Sequence, residues 1–187
     1  MAEAIASANQ SRIGLLKIAA GGVLTGILTS LLMPVVDKLG GLPGDVRIAL
    51  VGVPFAVLVF ILVRRHSANP WWTAFIAAVV TMIAFVCAVN AAVFVDRLAA
   101  NAGKTSRGVL AGLSGGFIGA GIMALAVALL PAGPRHPGAW LPMLLAGTVT
   151  GALLALDNAL GLDSTSVLFP VWQACVAVGL AQALRPR

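Results

Sequence analysis

Apolar residues run in six long stretches, at approximately 13–36, 47–63, 71–95, 108–130, 140–162 and 167–184, and the charges fall almost entirely in the gaps between them. Each stretch is close to the roughly 20 helical residues that cross about 30 Å of hydrocarbon. The pattern predicts an all-α polytopic membrane protein: a six-transmembrane-helix bundle with short loops, forming one domain over 13–184. A short segment, 1–12, precedes it and 185–187 follows. The punctuation fits this division. Asp37 and Lys38 close the first stretch, Arg64, Arg65 and His66 close the second, and Pro131 stops the fourth. Trp71, Trp72 and Trp140 open the third and fifth stretches, where an indole anchors at the membrane boundary. Asp163, Ser164, Thr165 and Ser166 offer N-cap chemistry to the last. Pro54 inside the second stretch predicts a kink, because it frees a carbonyl that neighbouring helices must satisfy.

Small residues recur every four positions within these stretches: Gly108, Gly112, Gly116, Ala120 and Ala124 in the fourth, Gly22, Gly26 and Ser30 in the first, Gly147, Gly151 and Ala155 in the fifth. Lipid gives helices no hydrophobic reason to associate, so close backbone approach at such stripes supplies the attraction. They are expected to pack the bundle or to face a partner subunit. Two segments also echo each other at a spacing of about 68 residues: Arg65-His66 before Pro70, Trp71 and Trp72, and Arg135-His136 before Pro137 and Trp140. Asn90 follows Trp72 by the interval at which Asn158 follows Trp140. A duplicated helical hairpin would produce this, as would shared helix-boundary chemistry.

Composition agrees with a bilayer environment, at 60% hydrophobic and 10% charged residues against about 25% charged in soluble domains. The net charge of +6 is carried by scattered basic residues without a dense run, so anionic lipid head groups rather than nucleic acid are the expected contact. With the N-terminus inside, seven basic residues lie on the cytoplasmic side and five outside, which predicts an N-in, C-in topology. Arginine outnumbers lysine nine to three and tyrosine is absent, a bias of GC-rich bacterial genomes, and the expected location is a bacterial cytoplasmic (inner) membrane. No basic n-region precedes the first stretch, so a retained helix is expected rather than a cleaved signal peptide. Cys87 and Cys175 fall inside apolar stretches and read as small packing residues.

Ionisable and polar groups in hydrocarbon are costly and therefore mark candidate sites. Asp157 is the most deeply placed acid; with Asn158 and Asn90 it is expected near the outer ends of the helices, beside Asp96 and Asp163. Gln173 in the last helix completes the set of solute-binding candidates. His66 and His136 lack a third ligand or nearby carboxylate for a metal site. Walker, H-E-x-x-H and CxxC motifs are absent, so neither cofactor nor metal is expected.

Gly112-Leu113-Ser114-Gly115, continuing to Gly119, resembles the GxSGxxxG segment of rhomboid intramembrane proteases, in which the serine lies near the start of the fourth of six helices. That resemblance implies Ser114 as nucleophile and a histidine base in the sixth helix. This sixth helix contains no histidine, and a serine without a base is not activated, leaving a catalytically dead relative. Length and helix count are also similar to those of substrate-binding subunits of energy-coupling vitamin transporters. The expectation is a small-solute transport or binding component, with an accessory or scaffold subunit of a larger membrane complex, or a homo-oligomer, as the alternative.

Overall fold

The computed structural model describes residues 2–162 and 166–185. Asp163, Ser164, Thr165, Pro186 and Arg187 lie outside the described residues, and with them the expected contribution of Asp163 to a polar cluster. The described chain is all-helical: α1 (Ala2–Asp37), α2 (Gly44–Val51), α3 (Val53–His66), α4 (Trp71–Leu98), α5 (Lys104–Ala128), α6 (Pro137–Gly151), α7 (Leu153–Leu160) and α8 (Leu168–Ala183).

Four helices are long and apolar enough to cross a membrane: Gln10–Asp37, Trp71–Leu98, Lys104–Ala128 and Pro137–Leu160, the last formed by α6 and α7 together. The pair α2 and α3 makes a fifth if its 50° bend is counted within one span. Gly52 sits at that bend with Pro54 in the first turn of α3, so the helix breaks where proline withholds an N–H. The helix of the sixth apolar stretch is shorter than these. α8 has 16 residues, or about 24 Å at 1.5 Å per residue, against roughly 30 Å of hydrocarbon.

That short helix is nevertheless the best buried. Val176, Ala177, Leu180 and Ala181 are fully inaccessible, because α8 is packed among α1, α3 and α6. α4 packs on α3 and α5, and α5 packs on α6 and α7. The periphery is apolar, with Leu24, Phe75, Phe94, Leu125 and Val149 all exposed. Exposed apolar surface on this scale is what a lipid-facing bundle presents.

Chain reversal gives the bundle two distinct ends. Asp37, Asp45, Asp96 and Asp157 stand at one, together with Lys38, Arg47, Arg97, Lys104 and Arg107. Arg64, Arg65, Arg135 and Arg185 stand at the other. These are called the acidic and the basic end.

Close helix contacts are built on glycine. A Cβ on Gly22 would lie 2.5 Å from Ala174 Cα, and one on Gly26 would overlap the Pro170 backbone, so α1 and α8 touch main chain to main chain. On α5, Gly108 faces Ala155, while Gly112 and Gly116 meet the carbonyls of Gly151 and Gly147. Gly115 and Gly119, on another face of α5, abut Ala88 of α4. Helix α5 is thus pressed closely on both sides.

Candidate functional site

Asp157 is buried, at 6% exposure, and its partners are the start of α8. Its Oδ1 accepts from Val167 N–H at 2.9 Å, and its Oδ2 accepts from Ser166 Oγ at 2.5 Å and Leu168 N–H at 3.3 Å. The carboxylate therefore occupies the position of an N-cap, satisfying donors that the first turn leaves unpaired and facing the positive end of the helix dipole. Gly161, with φ of +64°, reverses the chain after α7 and lets Leu162 N–H bond Asp157 O. Both carboxylate oxygens are engaged by the protein itself.

The other sequence candidates separate. Asn158, exposed beside Asp157, lines a crevice at the acidic end. Asn90 is exposed on α4 and donates to Asp45 Oδ1 at 3.1 Å and Val86 O at 3.0 Å, joining α4 to the start of α2. Gln173 is fully buried and donates to Thr29 Oγ1 of α1 at 3.0 Å. The four residues do not form one cluster, and Asn158 alone of them borders the crevice.

That crevice, about 450 Å³, enters the bundle between α4, α5 and α7 on one side and α8 on the other. It exists because the small residues that draw α5 toward α4 and α6 leave the first half of α8 standing apart from α4. Ala88, Ala92, Gly112, Gly115, Gly116 and Gly151 form a smooth wall. Phe85, Phe169 and Trp172 face it, with Phe85 and Phe169 stacked at a tilt, ring centroids 5.7 Å apart. The mouth is polar. Asp96, Arg97 and Asn158 border it, and Arg107 grips Asp96 through both Nε and Nη2. Apolar volume behind a few oriented polar groups is the usual anatomy of a small-molecule site. Sequence reasoning missed the aromatic wall; Phe169 and Trp172, three apart on one helix face, were its available signal.

Ser114 does not resemble an activated nucleophile. Its Oγ donates to Ala111 O of its own helix at 2.8 Å, and both histidines lie at the basic end, lining a different basin.

Compared with known proteins, the chain matches no family model, no curated protein and no solved structure.

Proposed function

We propose that the chain is a six-span protein of a bacterial cytoplasmic membrane, N-in and C-in, that binds an amphipathic small solute in the crevice at its outer, acidic end, as a transport or solute-binding component. The observation that carries this reading is the 450 Å³ crevice with its glycine and aromatic walls and ion-paired mouth. A solute with a hydrocarbon body and a polar head fits both parts. The chemistry asked of the protein is burial of apolar area at about 25 cal/mol per Å², with Arg97 and Asn158 orienting the head. The concentration of arginines at the basic end, without an ion-pair partner among the described residues, supports placing that end in the cytoplasm. Six crossings are supported by α8 itself: it starts on Asp157 at the acidic end and leads to Arg185 beside Arg65 and Arg135, its short length sheltered by α1, α3 and α6.

The scaffold alternative relied on glycine stripes free to face another subunit. Gly22, Gly26, Gly108, Gly112, Gly116, Gly147 and Gly151 each meet a neighbouring helix of this chain, so those stripes are already occupied. Thermal unfolding in lipid nanodiscs with medium-chain alkyl carboxylates and amines tests the proposal. A saturable stabilisation that Ala92→Phe removes supports it; no saturable effect, or one that persists in Ala92→Phe, refutes it.

A further inference from the structure

The two Arg-His pairs that echo each other in the sequence meet at the opposite end of the molecule. Arg65 and His66 from the end of α3, Arg135 and His136 from the turn before α6, and Arg185 after α8 line one basin of about 780 Å³. Three segments far apart in the chain thus contribute three guanidinium groups and two imidazoles to one concavity. Among the described residues no carboxylate lines it, and every aspartate among them stands at the other end.

Positive residues at helix ends are ordinary in membrane proteins, but at the acidic end carboxylates stand among them and engage two of the arginines. There Arg107 is paired with Asp96, and Arg47 lies 4.0 Å from Asp37. The basin arginines have no ion-pair partner among the described residues; Arg185 donates one bond to Ser11 Oγ at 2.9 Å and keeps its remaining donors.

The basin is also pre-assembled. Asn69, buried between the two pairs, accepts from Ala132 N–H at 2.8 Å through Oδ1, tying the turn after α3 to the loop before α6. Its Nδ2 is buried without a partner among the described residues. Each imidazole has one nitrogen fixed by the backbone. His136 Nδ1 accepts from Gly138 N–H at 3.1 Å, so the ring proton sits on Nε2, a free donor. His66 Nδ1 lies 3.2 Å from Leu62 O, which can only accept, so that nitrogen carries the proton.

We propose that this basin is a binding site for a phosphate-bearing anion, a phosphate ester or phosphoanhydride with at least two negative charges, held by Arg65, Arg135 and Arg185 and by Nε2–H of His136. Guanidinium forks match phosphate oxygens in pairs, and the start of α6 at Pro137 adds the positive end of a helix. The same chemistry is carried by a soluble anion and by a phosphatidate head group, and the test separates them.

The protein is reconstituted in phosphatidylcholine nanodiscs and titrated with inorganic pyrophosphate, and in parallel incubated with phosphatidic acid and read by native mass spectrometry. Saturable pyrophosphate binding at one site per chain identifies a soluble anion, and selective retention of one phosphatidic acid identifies a lipid head group. In either arm Arg65→Gln with Arg135→Gln weakens binding about tenfold or more, as loss of charged hydrogen bonds requires. Arg135→Lys, which keeps the charge but loses the fork, weakens it less, and Lys38→Gln at the acidic end leaves it unchanged. Failure of the wild-type protein to bind either probe overturns the proposal. So does a Lys38→Gln loss equal to that of the double variant, or undiminished binding by that variant.

Discussion

Asp157 shows how a residue can be conspicuous in a sequence and still have its role hidden. An acid at the end of an apolar run is easily found, but its partners, Ser166, Val167 and Leu168, lie across a turn whose path no local pattern reveals. Asp157→Ala is expected to cost about 1–3 kcal/mol through loss of the cap and exposure of unpaired donors to an apolar surround. Asp157→Asn, which keeps one acceptor oxygen, should cost less, and thermal unfolding in mild detergent measures both. Equal melting of Asp157→Ala and wild type would remove the capping role and return the acid to the list of solute contacts. Ser114→Ala, losing a bond to its own helix, is expected to leave stability within about 0.5 kcal/mol of wild type and any solute binding unchanged. Gln173 was likewise visible as a polar residue in a membrane helix, but its partner, Thr29, comes from the far end of the chain.

At the scale of elements, the polar gaps between apolar runs marked most helix boundaries, and Pro54 anticipated the bend near Gly52. But α1 already begins at Ala2, within the expected short segment 1–12, and the fifth stretch breaks at Ala152 into α6 and α7, which no proline or charge at that point signalled. The glycine stripes were legible too, since a four-residue repeat of small side chains has a direct physical meaning. Their neighbours were not: nothing in the sequence paired Gly26 with Pro170 or Gly116 with Gly147. The second small face of α5, Gly115 and Gly119 against Ala88, lies one residue out of register with the first and shows in the sequence only as part of the rhomboid-like segment, with nothing to pair it with α4. Substitutions should divide accordingly. Gly26→Leu and Gly116→Leu force main chains apart and are expected to cost about 3 kcal/mol or more, whereas Gly14, with nothing within 4 Å of an added Cβ, should accept leucine with little change. Monodispersity and thermal unfolding read the contrast, and a Gly116→Leu protein as stable as Gly14→Leu would contradict the packing described for α5 and α6.

For the whole molecule, the sequence identified the solvent but not the cavities. Both cavities depend on helices distant in the chain: α8 closes one side of the crevice, and Arg185 completes the basin begun by Arg65 and Arg135. The proposed orientation predicts that a periplasm-active reporter is active after Asp45 and Ala102 and silent after Ala68, after Gly138 and at the C-terminus. An active C-terminal fusion would mean that α8 does not cross, whereas the fully reversed pattern would invert the protein. The central claim, that the crevice holds an amphipathic solute, is tested most directly at Trp172, an indole in its wall. With Trp71→Phe, Trp72→Phe and Trp140→Phe leaving Trp172 as sole emitter, a bromoalkyl carboxylate added to nanodiscs should quench its fluorescence saturably, and Ala92→Phe should abolish the saturable component. Quenching that rises linearly with bromoalkyl concentration and is identical in Ala92→Phe would mean that the probe reaches Trp172 only through bulk lipid, and that the crevice binds nothing.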